Sequence, residues 1–251
     1  MITDRTKRRL QAGETLAGCF VRTADATFVE YVAAGGWDFL VLDGEHGTVM
    51  PDRVGDLARA CEVREVTPIV RMPTRDPGTL LKCLDAGAVG VLFPWINSAD
   101  DASRAVSAVK YPPKGIRGLA GNRATDWTVS AEMTARANDA VIVIAQIETV
   151  AAVDAVEDLC TVEGVDVLFV GPSDLSQSLG VPGELSNPVV LEAIEHVAST
   201  VARSEKTFGI FAGSAEDARR GLDLGATFIA TSVESMLGGP MRSFLRGIRS
   251  G

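Results

Sequence analysis

Four apolar runs of this sequence end in polar side chains that could do metal or acid–base chemistry. Asp43 and His46 stand in the segment LDGEH, Arg71 directly follows PIV, and Glu148 and Asp174 come just after IVIAQI and VLFV. Carboxylate oxygens are the ligands that Mg²⁺ and Mn²⁺ prefer, and a guanidinium can bind a carboxylate bidentately or stabilise an enolate. A histidine titrates near neutral pH. The set favours a divalent-metal site with room for a bidentate 2-oxo acid.

Each of these side chains also has a structural reading that the sequence leaves open. Glu148 and Asp174 precede helical segments, where acidic residues serve as caps and favour the helix dipole. Arg71 could form an ion pair with an acid at the same rim, and His46 could be packed against a neighbouring carboxylate. All four side chains are predicted to lie together at the ends of the strands. This favours metal binding over four unrelated structural roles.

The absence of certain residues and motifs narrows the range of possible reactions further. The five lysines are at positions 7, 82, 110, 114 and 206, and none follows a predicted strand. A Schiff-base mechanism needs a lysine in the active site, so carbonyl activation would have to come from a metal. The sequence also has no G-x-S-x-G, P-loop or G-x-G-x-x-G motif, which leaves hydrolase, kinase and dinucleotide-binding functions without support.

The elements that must position these residues alternate along the chain. Eight apolar runs are predicted as strands, at 17–21, 39–42, 68–70, 90–93, 141–147, 167–170, 208–211 and 228–230, with helical periodicity between them. Units of about 30 residues, repeated eight times, predict one (β/α)8 barrel over residues 1–251, with an open doubly wound sheet as the structural rival. In such a barrel, residues that follow the strands form the active site.

Composition excludes some classes of partner. The chain has 251 residues, a formal net charge of −9 and no dense basic patch, so we expect no nucleic-acid or membrane partner. It shows neither a secretory signal nor a long apolar stretch, and its four cysteines match no zinc or disulfide pattern. We therefore expect a cytoplasmic protein.

Five segments, in order and spacing, carry a family resemblance. They are FLVLDGEHG (39–47), VRMPTRDP (70–77), YPPKGIRG (111–118), AQIETVAAV (145–153) and GVDVLFVGPSDLSQSLG (164–180). The chain resembles the metal-dependent class II pyruvate aldolases of the HpcH/HpaI family from about Gly18 to Phe244. The resemblance implies a TIM barrel of the phosphoenolpyruvate/pyruvate-binding type, a homohexamer, and Mg²⁺, Mn²⁺ or Co²⁺ as cofactor. The implied reaction is reversible cleavage of a 4-hydroxy-2-oxo acid to pyruvate and an aldehyde.

The resemblance also implies roles for individual residues. Glu148 and Asp174 would ligate the metal, Arg71 would contact the 2-oxo acid and its enolate, His46 would transfer protons, and Asp43 would support the water shell of the metal. A further set would line the pyruvate pocket and hold its carboxylate, the latter through the peptide groups of the glycine and the serine: Gln146, Gly171, Pro172 and Ser173.

The family pairs its histidine with an aspartate that matches Asp85 in CLDAGAVG. Asp85 lies near the end of the predicted helix after the third strand, at the face of the barrel opposite the active site. We therefore expect it to reach a His46 only across a subunit interface or through an unusual chain path. The segment 119–127 departs from the family's loop, which leaves the aldehyde unassigned.

Two other functions stay open. The related citrate lyase beta-like enzymes act on CoA thioesters and share the barrel and the carboxylate metal site, but the sequence shows no basic groove for CoA phosphates. A small-molecule binding protein could also have the same polar residues at the ends of its strands and catalyse no reaction.

Overall fold

Eight short strands and twelve helices make up the fold, and the computed structural model describes residues 4–249. The strands are β1 (Leu16–Val21), β2 (Phe39–Asp43), β3 (Thr67–Arg71), β4 (Gly90–Phe93), β5 (Ile142–Ile147), β6 (Val167–Val170), β7 (Thr207–Phe211) and β8 (Phe228–Ser232). All neighbouring pairs are parallel, and β8 pairs with β1 to close the barrel. The predicted (β/α)8 barrel is confirmed, and the open sheet is wrong.

At least one helix follows each strand, as predicted, while α1 precedes β1 and the connections after β4, β5 and β6 each hold two helices. They are α1 (Arg5–Gln11), α2 (Ala26–Ala33), α3 (Val54–Glu62), α4 (Pro77–Ala86), α5 (Ala99–Val109), α6 (Ala131–Ala140), α7 (Val150–Asp154), α8 (Val156–Thr161), α9 (Pro172–Ser178), α10 (Pro188–Val201), α11 (Ala215–Asp223) and α12 (Val233–Arg249). Within residues 4–249, no helix is both long and apolar enough to cross a bilayer.

Local signals account for where α4 begins and ends. The side chain of Asp76 accepts a hydrogen bond from Thr79 N, and Pro77 occupies the first helical position, where its missing N–H costs nothing. Gly87 ends the helix with φ +121°, a conformation that favours glycine.

Alternate residues of each strand face two separate cores. Phe39 and Val41 of β2 belong to the cluster inside the barrel, whereas Leu40 and Leu42 belong to the cluster between the sheet and the helices. Because side chains alternate along a strand, Asp43 is on the inward face with Phe39 and Val41. This alternation decides which residues at the strand ends reach the barrel mouth.

Close packing inside the barrel requires a small residue on β1. The rings of Phe39 and Phe228 stack with centroids 4.0 Å apart. A Cβ at Gly18 would overlap the Phe39 ring, so the glycine makes room for this pair.

Helix α1 covers the amino-terminal end of the barrel. Leu10 joins the interior cluster, Thr6 Oγ1 lies 2.5 Å from Thr67 Oγ1, and Lys7 Nζ donates to Val141 O at 2.7 Å. Thr67 is the first residue of β3, and Val141 directly precedes β5. The carboxyl ends of the strands therefore remain as the open mouth.

Candidate active site

The inward alternation brings the predicted polar residues to one mouth. On β3, Ile69 points into the barrel, and Arg71 two positions later shares its face. On β5, Ile142 and Ile144 point inward, so Gln146 and Glu148 continue the same face. All three polar side chains are buried.

Arg71 and Asp43 form a bidentate ion pair at the ends of β3 and β2. Arg71 Nε donates to Asp43 Oδ1 at 2.9 Å and Nη2 donates to Oδ2 at 2.6 Å, and the two residues are only 5% and 0% exposed. Burial alone would raise the pKa of Asp43, but the hydrogen bonds and charge of Arg71 hold it below its ordinary value of 3.8. The structural ion pair that the sequence left open for Arg71 is therefore present.

The same carboxylate shapes the loop after β2. Asp43 Oδ1 accepts hydrogen bonds from the backbone N–H groups of Glu45 at 3.0 Å and His46 at 3.2 Å. Arg71 Nη1 lies 3.1 Å from Glu45 Oε2, and the Arg71 guanidinium carbon stands 4.8 Å above the Phe20 ring. Asp43, Glu45 and the Phe20 ring together therefore fix the position of the Arg71 guanidinium.

Glu148 is a buried carboxylate whose partners are neutral. Its Oε1 accepts from Trp95 N at 2.8 Å, its Oε2 accepts from Gln146 Nε2, and it is 2% exposed. Burial raises the pKa of Glu148 to about 7; the Trp95 hydrogen bond opposes this rise, and the negative charges of Glu45 and Asp174 reinforce it.

The start of α9 forms the wall opposite Arg71. A Cβ at Gly171 would lie 3.1 Å from Gln146 Nε2 and 3.4 Å from Glu148 Oε2, so only glycine leaves these groups undisturbed. Gly171 N–H already donates to Ile147 O at 3.0 Å, and Pro172 has no N–H. The first free amide of the helix is therefore that of Ser173, directly before Asp174 in the first turn.

A cavity of about 90 Å³ joins these elements. Its aromatic wall is formed by Phe20, Phe169 and Phe211, whose rings contact through Phe20 at centroid distances of 6.2 and 5.9 Å. The polar residues that line it are Arg22, His46, Arg71, Gln146, Ser173 and Asp174. His46 is at the outer edge: its side chain is 52% exposed, and its Nε2 lies 3.9 Å from Glu45 Oε2.

Comparison with known proteins assigns this chain to a family. The family model described as HpcH/HpaI aldolase/citrate lyase matches residues 16–238. The chain belongs to the HpcH/HpaI aldolase/citrate lyase family. The predicted family is therefore confirmed.

Individual members of the family show how far the likeness extends. A 5-keto-4-deoxy-D-glucarate aldolase of Salmonella paratyphi C is 36% identical over 237 residues, which cover 92% of this chain and 91% of that protein. The crystal structure of an HpcH/HpaI aldolase/citrate lyase family protein from Burkholderia cenocepacia superposes with a TM-score of 0.92 at 35% identity, covering 98% of this chain and all of the other. The citrate synthase SbnG gives 0.87 at 29% identity, with 97% of each chain covered. These likenesses support an aldolase-type lyase.

One residue of the predicted set lies away from this mouth. Asp85 is in the last turn of α4, which leads into the start of β4, and its Oδ1 accepts from Arg117 Nη2 at 2.8 Å. Within residues 4–249, no hydrogen bond or ion pair connects Asp85 with His46. Asp85 precedes the amino-terminal end of β4, whereas His46 follows the carboxyl end of β2, so within this chain the two residues stand at opposite ends of the barrel.

Three residues at the mouth are not among the predicted site residues. Arg22 directly follows β1, and the rule that pointed to residues after other strands could have found it. Glu45 contacts both Arg71 and Trp95, whose Nε1 donates to Glu45 Oε1 at 3.3 Å. Trp95 has φ +57°, which aims its N–H at Glu148, and no sequence pattern indicates that conformation.

The mouth has the donors that a hard divalent cation needs, although the set of protein ligands is small. Among residues 4–249, no cluster of three or more histidine, cysteine, aspartate or glutamate side chains is arranged to hold a metal. The negative charge of Asp174 is near enough to raise the pKa of Glu148. Gln146 Oε1 is buried without a hydrogen-bond partner, whereas Glu45 Oε2 makes no hydrogen bond but has the Arg71 guanidinium 3.1 Å away. Two carboxylates supplemented by water fit Mg²⁺ or Mn²⁺.

Proposed function

We propose that this chain is a divalent-metal-dependent aldolase that reversibly cleaves a 4-hydroxy-2-oxo acid to pyruvate, or a close 2-oxo acid, and an aldehyde. The observation that carries the proposal is Glu148, a buried carboxylate whose hydrogen-bond partners are neutral. It lies beside Gln146 and Gly171, which line the same cavity as Arg71. Buried charges are normally paired or coordinated to a metal. The likeness to a 5-keto-4-deoxy-D-glucarate aldolase supports the same reaction class.

Glu148 and Asp174 are the residues that would hold the cation. When bound, Mg²⁺, Mn²⁺ or Co²⁺ would act as a Lewis acid toward the 2-oxo group and the adjoining carboxylate. Because burial raises the pKa of Glu148 to about 7, cation binding at or below that pH would release the proton that Glu148 carries. Asp43 would orient Arg71 and the loop that carries His46, and would support the water shell.

Substrate contacts follow from the donors that remain free. The Ser173 amide, at the positive end of α9, suits the substrate carboxylate. Gln146 would contact the 2-oxo acid. Gly171 and Pro172 would allow the backbone to lie close to the substrate. Arg71, locked by Asp43, presents a fixed positive charge to the oxygen on which negative charge develops.

The proton would move through His46. In cleavage the 4-hydroxyl loses its proton to His46, through a water molecule, and the C3–C4 bond breaks to release the aldehyde. The electron pair stays on the 2-oxo acid fragment as an enolate, which Arg71 stabilises until C3 is protonated. Asp85 would assist His46 only from a second subunit, which requires the hexameric assembly that the family resemblance implies.

Pyruvate release tests the proposal. Purified protein is treated with EDTA, supplied with Mg²⁺, Mn²⁺ or Co²⁺, and assayed with a panel of 4-hydroxy-2-oxo acids. We expect release only with metal. Arg71→Lys keeps the charge but loses the bidentate geometry, and we expect kcat to fall by roughly 10²-fold, as for loss of one transition-state donor. Arg59→Lys, on the exposed face of α3, is the matched control.

Each alternative predicts a different result. A CoA-thioester lyase would leave the hydroxy-oxo acids intact and cleave an acyl-CoA. A binding protein without turnover would release nothing under any metal. Normal turnover after metal removal, or in Arg71→Lys, would refute the assigned roles.

A further inference from the structure

A second polar cavity lies at the amino-terminal end of the barrel, opposite the mouth. Its volume is about 390 Å³, and its walls come from α1, the connection after α5, the last turn of α6 and the residue before β6. Four cationic side chains line it: Lys7, Arg8, Lys110 and Lys114. The mechanism proposed for the mouth uses none of them.

Three of these four cations are paired with a carboxylate that also lines the cavity. The pairs are Lys7 Nζ with Asp166 Oδ1 at 3.1 Å, Arg8 Nη2 with Asp4 Oδ2 at 2.5 Å, and Lys114 Nζ with Asp139 Oδ1 at 3.5 Å. Lys110 is the exception. Within residues 4–249 no ion pair reaches its ammonium group, which makes one hydrogen bond, to Asn138 O at 2.8 Å. The cavity therefore has one positive charge without an acidic partner.

Burial makes the Lys110 charge costly. The residue is 5% exposed, and its acceptor is a neutral carbonyl in the last turn of α6, where the helix dipole compensates only in part. Burial lowers the pKa of Lys110 to about 8; the charges of Lys7 and Lys114 add to this lowering, and those of Asp166 and Asp139 oppose it. Buried charges are normally paired. An ammonium group has three N–H donors, so two remain for an anion in the cavity.

The rim of the cavity suits a tetrahedral oxyanion. The side chains of Lys114 and Arg8 are 52% and 76% exposed, so their ion pairs contribute little and either cation can turn toward a ligand. Together with Lys110 at the buried wall, they offer donors from three separate elements. Lysine binds phosphate as a point charge. A phosphate group can give a different oxygen to each donor, whereas a carboxylate has only two oxygens.

We propose that this cavity is a binding site for a phosphate-type oxyanion, either free phosphate or the phosphate group of a small metabolite. Lys110 holds the anion at the buried wall, and Lys114 and Arg8 contact it from the rim. Because the cavity and the mouth are at opposite ends of the barrel, the anion does not compete with the 2-oxo acid. The inference does not depend on the proposed function.

Isothermal titration calorimetry at constant ionic strength tests the site with inorganic phosphate, glycerol 3-phosphate and acetate. We expect the wild-type protein to bind at least one of the two phosphate compounds, and acetate much more weakly. Lys110→Met keeps a side chain of similar length without the charge. It should weaken binding of the phosphate compound roughly 10-fold or more, as expected for losing a hydrogen bond between charged groups. The tighter of the two phosphate ligands identifies the source of the anion.

Two further variants separate the site from general effects of charge and folding. Lys114→Gln changes an exposed side chain, so it should fold as wild type does and lose roughly 2- to 5-fold in affinity. Lys82→Met removes the same charge from an exposed position on α4 and should leave the affinity unchanged. Equal affinity in wild type, Lys110→Met and Lys114→Gln would overturn the proposal. So would acetate that binds as tightly as phosphate, or a wild-type protein that binds neither phosphate compound.

The position of the anion distinguishes this cavity from the mouth, where Arg71 could also attract phosphate. An anion at the mouth would still bind to Lys110→Met, so only the affinity lost in that variant reports the second site. Crystals soaked in selenate, whose selenium scatters anomalously, should show a peak within hydrogen-bond distance of Lys110 Nζ. A peak at the mouth alone would refute the assignment.

Discussion

Replacing Glu148 by glutamine should stabilise the metal-free protein at alkaline pH. Glu148 is 2% exposed, and its pKa rises from an ordinary value of 4.5 to about 7. The folded state therefore binds a proton more tightly than the unfolded state, and stability is fully present below the unfolded value and falls as the pH rises toward 7. At ~1.36 kcal/mol per pH unit, the difference of 7 − 4.5 corresponds to ~3 kcal/mol lost above pH 7.

Glutamine removes this cost and can keep the local hydrogen bonds. Its Oε1 can accept from Trp95 N as Glu148 does. Its amide nitrogen would face Gln146, whose own Oε1 lacks a partner and can accept after the Gln146 amide turns over. We therefore expect little loss of packing.

The assay is urea unfolding of wild type and Glu148→Gln in EDTA at pH 5 and pH 8. The variant should be more stable by roughly 2–3 kcal/mol at pH 8 and by less than about 1 kcal/mol at pH 5. Glu216→Gln, on the exposed face of α11, is the control and should differ from wild type by less than about 0.5 kcal/mol at either pH. A variant that is equally stable relative to wild type at both pH values would refute the reasoning, because only an ionisation makes the difference depend on pH.

Two further substitutions probe the scaffold of the mouth. Asp43→Asn leaves the Arg71 charge buried without its bidentate partner, and urea unfolding at pH 7 should show a loss of ~3–5 kcal/mol, against less than about 0.5 for Asp56→Asn on exposed α3. A loss below 1 kcal/mol would mean that water solvates Arg71 as well as Asp43 does. Gly171→Ala places a Cβ against Gln146 and Glu148 and should lower kcat by roughly 10-fold or more with metal present, whereas Gly239→Ala, with nothing within 4 Å, should leave it unchanged. Unchanged kcat in Gly171→Ala would contradict the tight fit assigned to this glycine.

The sequence predicts the fold well because its signals are local. Each apolar run of three to seven residues predicts one strand, glycines such as Gly87 mark where helices end, and eight repeats predict a barrel. The predicted and observed strand boundaries differ by one or two residues where a polar residue ends a strand. Asp43 and Arg71 are examples, because they pair with each other as the last residues of β2 and β3. A hydrophobic pattern cannot show this because these residues are polar.

Contacts across the mouth are harder to predict because they depend on how the barrel closes. The bidentate geometry of Arg71 with Asp43 requires the β2–β3 register. The backbone hydrogen bond from Trp95 to Glu148 joins residues 53 positions apart and depends on a positive φ. The partner of Asp85, Arg117, comes from the long connection between α5 and α6, where periodicity carries no information.

The two buried carboxylates at the mouth have opposite energetic signatures. Asp43 is matched by a guanidinium, and its lowered pKa contributes stability that is fully present above the ordinary value of 3.8 and is lost as the pH falls through the lower folded-state pKa. Glu148 is equally buried but has only neutral donors and two carboxylates for neighbours, so its ionised form opposes folding. The ionised Glu148 carboxylate therefore lowers the free energy of unfolding, and Glu148→Gln would raise it again. A positively charged ligand that binds only the folded state would offset this cost, and stability measured with and without Mn²⁺ should therefore differ in wild type far more than in Glu148→Gln.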